Sequence, residues 1–166
     1  MSAAARLVSL SMMVTASCAS TPSPASGSPT PLEAHAMRLR PGQDLLVELE
    51  RWAKEQRVSA ACVVTAVGSL TRASIRFANR DEATVLEGHY EVTSLVGTLS
   101  EDGAHLHITV ADGDGRTLGG HLVQGSAIYT TMEIVVGRLP GIAFTRELDP
   151  TYGYEELVVQ TRSSTR

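Results

Sequence analysis

The sequence predicts an α+β domain, one early helix packed on a mostly antiparallel β-sheet. Three observations predict it. Helical spacing of apolar residues appears once, just after Asp44. Nearly everything that follows is short β-branched runs separated by turn residues, the pattern of hairpins rather than of helical crossovers. The 166 residues suffice for one such domain with a real core and are too few for two comfortable ones.

The chain opens differently. Residues 1–19 read as a signal- or lipoprotein-type leader: no Asp or Glu precedes Glu33, Arg6 is followed by the modestly apolar Leu7–Val14, and small residues fill Thr15–Ala19. Two processing routes fit, cleavage after Ala19 or a lipobox-like site at which Cys18 carries a lipid anchor. Either places the protein outside the cytoplasm, in the periplasm or on a membrane through that lipid. The alternatives are an untargeted tail, an organellar transit peptide, or translation from Met37, which would leave the protein cytoplasmic. Residues 20–36 read as a flexible Ser/Pro-rich linker, because the tract from Ser20 to Pro31 buries too little apolar area to offset ordering entropy. The domain proper is expected over residues 37–162.

Arg38-Leu39-Arg40 reads as a short strand stopped by Pro41-Gly42. Asp44 can cap a helix whose apolar positions Leu45, Leu46, Leu49, Trp52 and Ala53 share a face, ending near Gln56-Arg57. Ser59 to Val67 is a continuous small and β-branched run, expected to be a strand buried on both faces and broken by Gly68-Ser69. Strands are then expected at Ala73–Ala78, Val85-Leu86, Tyr90–Leu99, Gly103–Val110, Leu118–Val123, Met132–Val136 and Leu157–Val159. Asp112-Gly113-Asp114-Gly115 is a strong hairpin turn between the fourth and fifth of these.

Three of the five histidines follow from that hairpin. His105 and His107, two residues apart, project from one face of their strand. A turn centred on Asp114 sets His121 opposite His107, on the same face. Three imidazoles converging in this way are the arrangement a three-histidine metal site needs. Neutral imidazole nitrogen suits Zn²⁺ and leaves a fourth tetrahedral position for water or substrate. Against this stands a plain hydrogen-bonded surface pair, since His-x-His is common in strands. Gly119-Gly120 beside His121 leaves room for a ligand or another backbone. His35 falls in the linker and is expected to be exposed, His89 opens a strand, and Cys62 in its apolar run is expected to be a core residue.

Charge argues against one large class. Beyond residue 32 the chain carries 18 acidic residues, and the formal net charge of the whole is −4, so no basic field for phosphate is visible. With two cysteines in unlike contexts, neither a disulfide framework nor a cysteine-rich zinc site is expected. No Ser-His-Asp set, phosphate loop or nucleotide fingerprint is present.

Several segments in order resemble the plants-and-prokaryotes-conserved domain family. They are Leu39-Arg40-Pro41-Gly42-Gln43-Asp44-Leu45, Val67-Gly68-Ser69-Leu70, Glu87-Gly88-His89-Tyr90-Glu91-Val92, Gly103-Ala104-His105-Leu106-His107, Gly119-Gly120-His121-Leu122 and Phe144-Thr145-Arg146-Glu147-Leu148-Asp149-Pro150. The resemblance spans about residues 37–160. It implies a compact α+β subunit that assembles as a homotrimer and binds metal, zinc first, through His105, His107 and His121. Plant members act at chromatin through an AT-hook; no Arg-Gly-Arg-Pro hook occurs here, and no nucleic-acid partner is expected. Three functions follow in order: a trimeric metal-binding module for assembly or for sensing an unknown small molecule; a zinc-dependent enzyme on a small substrate, with Glu91 or Glu133 as general base; and a DNA-associated protein.

Overall fold

Asp44 starts the helix as its sequence position predicts. Its backbone is extended, and Oδ1 accepts hydrogen bonds from Leu46 N and Val47 N at 3.1 Å, satisfying two of the donors a helix N-terminus leaves free. Oδ2 also accepts from Gly125 N at 2.6 Å, so the same carboxylate ties the helix to a distant loop. The structure, a computed structural model, describes residues 30–162. The leader readings, cleavage after Ala19 and a lipid at Cys18, lie outside the described residues, as does the linker up to residue 29.

The element order is β1 (Glu33–Leu39), α1 (Leu45–Glu55), β2 (Ala61–Arg76), β3 (Thr84–Ser100), β4 (Gly103–Ala111), β5 (Thr117–Leu122), β6 (Ala127–Arg138), β7 (Ile142–Leu148) and β8 (Glu155–Thr161). The first six strands form one sheet in the order β1-β6-β2-β3-β4-β5, and β7-β8 is a separate hairpin; every recorded pairing is antiparallel. One helix on a mostly antiparallel sheet is the predicted class.

The sheet does not stay open. β2 also pairs with β5, through Ile75↔Leu122 and Arg76↔His121, so β2, β3, β4 and β5 close on themselves. Gly120 permits the closure: a Cβ there would sit 2.6 Å from Arg76 O and 3.0 Å from Ile75 Cγ2. The curled sheet wraps an apolar interior that includes Leu70, Ile75, Leu99, Leu106, Ile108 and Met132, and α1 adds the fully buried Leu45, Leu49 and Ala53.

Several sequence expectations need correction. β1 begins at Glu33, ahead of the strand expected at Arg38 and the domain start expected at residue 37, and pairs along its length with β6. Seven register pairs run from Glu33↔Arg138 to Leu39↔Met132, and Leu32 packs over Gly137. Residues 33–36 therefore belong to the sheet and not to the linker. Gly68-Ser69 does not end a strand; β2 runs through it, since a Cβ at Gly68 would lie 2.7 Å from Met132 Cα and only glycine lets β6 come this close. The segment Val63–Val67 is not buried on both faces: Val64 and Val67 are 52% and 59% exposed, because α1 covers only one side of the sheet. Cys62 is a free, half-buried thiol rather than a core residue. Val85-Leu86 and Tyr90–Leu99 join into the single strand β3, and β7 was not expected as a strand at all.

Candidate metal centre

The β4–β5 hairpin sets the register of the histidines. Its turn is held by Asp112, whose Oδ1 accepts from Asp114 N and Arg116 N, each at 2.9 Å. The pairs Ala111↔Thr117 and Val110↔Leu118 lead back to His107↔His121, centred on Asp114 as expected. Leu106 and Ile108 point into the core, so the alternation of the strand forces His105 and His107 outward.

The three imidazoles converge. Ring centroids are 5.3 Å apart for His105–His107, 5.0 Å for His105–His121 and 4.4 Å for His107–His121. One nitrogen from each lies within 4.8 Å of the other two. His105 Nε2 and His121 Nδ1 are 3.1 Å apart, a separation at which one N–H donates to the other ring. Tetrahedral Zn–N bonds of about 2.0–2.1 Å place ligand nitrogens about 3.3 Å apart. One nitrogen pair stands at 3.1 Å and one nitrogen from each ring lies within 4.8 Å of the others, so the donor set suits a divalent ion.

The surroundings of His105 and His121 disfavour their charged form. The His105 imidazole is held below its usual pKa first by partial burial, then by Arg146 and His107, with Glu156 opposing. His121 is lowered by partial burial, then by Arg76 and the other two histidines. Neutral imidazole is the form that binds metal.

His105 and His121 face a cleft of about 870 Å³ that also borders Arg76, Arg146, Phe144 and Glu156. The β7–β8 hairpin supplies one wall. Arg76 stands directly opposite His121 across β2–β5. Arg146 Nη2 donates to Thr98 Oγ1 at 3.4 Å, and Thr98 is the cross-strand partner of His105. Sequence reading missed both arginines. No local spacing marks them, because Arg76 reaches the site through the pairing of β2 with the distant β5 and Arg146 through a side-chain hydrogen bond to the distant Thr98.

The remaining candidates lie elsewhere. Glu91 pairs with Ser69 and Ala111, and Glu133 with Arg38 and Val67; neither borders the cleft, so neither is placed as a base for chemistry at the histidines. The carboxylates at the cleft are Asp81, Asp102, Glu155 and Glu156. His35 is half-buried in β1 with its ring 5.6 Å from that of Trp52, not exposed in a linker. His89 is exposed and stacks on Tyr129, centroids 4.1 Å apart.

Comparison with known proteins agrees with this architecture. Over 143 residues the chain is 46% identical to the Bifunctional protein GlmU of Synechococcus sp. (strain JA-3-3Ab), covering 83% of this chain. It spans only 23% of that relative's length. A hypothetical protein from Salmonella enterica has a similar structure, with a TM-score of 0.80 at 38% identity, covering 82% of this chain and 99% of that one. A metal-containing protein from Archaeoglobus fulgidus matches with a TM-score of 0.66 at 26% identity, covering 80% and 99%. The model of the Plants and Prokaryotes Conserved (PCC) domain matches residues 26–140, more than half of the chain, and the protein belongs to that family.

Proposed function

We propose that this protein is a small metal-binding module in which His105, His107 and His121 hold one divalent ion, zinc, with a fourth position open toward the cleft for a small molecule. One observation carries the reading: three imidazole nitrogens within 4.8 Å of one another on a single hairpin. The metal content of the Archaeoglobus relative supports it. The test is metal analysis of purified protein beside the variants His105→Ala, His107→Ala and His121→Ala. Stoichiometric zinc in the wild type and its loss in each variant is expected; retention in all three overturns the assignment.

The module is proposed to assemble as a homotrimer. Ile134, Val136, Ala60 and Ala61 are buried within the subunit and cannot form its interface. Exposed apolar side chains on the sheet that could form it include Val64 and Val67 on β2 and Val96 on β3.

A zinc-dependent enzyme is the second reading, favoured by the cleft beside the histidines. A bound metal would supply Lewis acidity there. The chain would supply a proton acceptor from the cleft carboxylates, Glu156 being the one that acts electrostatically on His105.

A further inference from the structure

We propose that the cleft beside the three histidines binds a small oxyanion, a molecule bearing a carboxylate or a phosphate, held by the guanidinium groups of Arg76 and Arg146. The inference deepens the metal reading and rests on it for the ligand's other contact, the open position of the ion.

Geometry supplies the first argument. Arg76 is the direct cross-strand neighbour of His121, and directly opposed residues share a face. Arg146 is anchored to the neighbour of His105 on the same cleft. Two guanidinium groups therefore flank the imidazole cluster, one from β2 and one from β7.

The second argument is that neither guanidinium is spent on a protein carboxylate. Arg76 Nη1 donates to Arg80 O at 3.3 Å and Arg146 Nη2 to Thr98 Oγ1 at 3.4 Å, both neutral oxygens. Among the described residues the ion pairs involve only Arg51 and Arg116 among the arginines. A guanidinium carries five donors in a planar fork suited to carboxylate or phosphate, so most of each fork remains available.

Electrostatics supplies the third. Two fixed cations beside a dication repel it, a cost that grows as water is excluded from the cleft. Three neutral imidazoles contribute no negative charge to offset it. The cleft carboxylates Asp81, Asp102, Glu155 and Glu156 offset part, but none stands in the β2–β5–β4 row that carries Arg76, His121 and His107. An anionic ligand that bridges the guanidinium forks and the ion removes the conflict. An apolar or cationic ligand leaves it in place.

The experiment is calorimetric titration of the zinc-loaded protein with two probes, inorganic phosphate and malonate, comparing wild type with Arg76→Gln and Arg146→Gln. Zinc stoichiometry and melting temperature are measured on the same samples. Saturable binding of at least one probe by the wild type, weakened about tenfold or more in each variant with zinc retained, is expected. The preferred probe then tells phosphate from carboxylate. Failure of both probes to bind loaded wild type, or binding unchanged in both variants, overturns the proposal. If Arg76→Gln melts below wild type, Arg76→Lys, which keeps the charge and loses the fork, and Arg146→Gln decide instead. If the wild type takes up no zinc, the same titration without metal separates the two readings. Arginine-dependent anion binding then keeps this proposal while the metal assignment falls.

Discussion

His107 faces His121 across the hairpin while His105 reaches the same point from two residues away, so each ring has a separate backbone origin. Removing any one imidazole should leave the fold intact, because Leu106, Ile108 and Val110, the buried residues of β4, are untouched. Zinc affinity should fall by about a hundredfold or more in each alanine variant with the melting temperature of the metal-free protein little changed. His89→Ala is the control, since that ring stacks on Tyr129 away from the cluster. Burial and the neighbouring arginines depress the pKa of His105 and His121. A depressed value means that the folded protein binds these protons more weakly than the unfolded chain does. Stability of the metal-free protein is then fully present above the ordinary imidazole value of about 6.5 and is lost as pH falls below it. Zinc affinity should fall over the same range, because protons compete for the ligand nitrogens. Zinc titrations at a series of pH values would show affinity flat above neutrality and declining below; an affinity that rises on acidification would exclude imidazole ligation.

At the scale of elements, the closure of β2 on β5 decides whether the site exists. Gly120→Ala places a methyl 2.6 Å from Arg76 O, a backbone atom that can move only with β2. That substitution should destabilise by about 1–3 kcal/mol in chemical denaturation and weaken zinc binding, because β2 and β5 must separate at the pair that holds His121 opposite Arg76. A variant with wild-type stability and affinity would show that the closure is loose. The capping carboxylate gives an independent check. Asp44→Ala removes the hydrogen bonds to Leu46 N, Val47 N and Gly125 N and should cost about 1–2 kcal/mol without touching the metal, since Asp44 lies outside the cleft. β1 offers a third. A chain starting at Met37 loses the pairs from Glu33↔Arg138 to Ala36↔Val135 and should melt lower by on the order of 5 °C than one starting at Thr30. Equal melting temperatures would place the domain start at Met37 after all.

For the whole molecule, the open side of the sheet is the feature that a single subunit leaves unresolved. Val64 and Val67 on β2 and Val96 on β3 stay half exposed or more. Sedimentation should give about three times the 17.6 kDa chain mass, and Val67→Asp, at a position 59% exposed, should yield folded monomer. A wild type that sediments as a monomer at micromolar concentration rules the trimer out. Acidic balance makes the matching prediction for nucleic acid: no salt-dependent complex with AT-rich duplex at submicromolar protein near physiological ionic strength. Such a complex would overturn the reading.

The sequence by itself determined the fold class, the helix with its cap at Asp44, and the register that sets His107 against His121. Each depends on local rules: helical period, capping chemistry, and a turn whose centre fixes pairing by counting residues on either side. Tertiary structure alone decided the rest. That Gly68 continues a strand and Gly120 closes the sheet follows from which backbone approaches them, Met132 in one case and Arg76 in the other. That His35 packs near Trp52 follows from the pairing of β1 with β6, and that Val67 is exposed while Ile134 is buried follows from which face α1 covers. Arg76 enters the cleft through its strand neighbour His121, 45 positions away in sequence, and Arg146 through its hydrogen-bond partner Thr98, 48 positions away. Contacts at such separations leave no periodic trace in the chain, because loop closure costs little more for a long connection than for a short one and so does not constrain which residues meet.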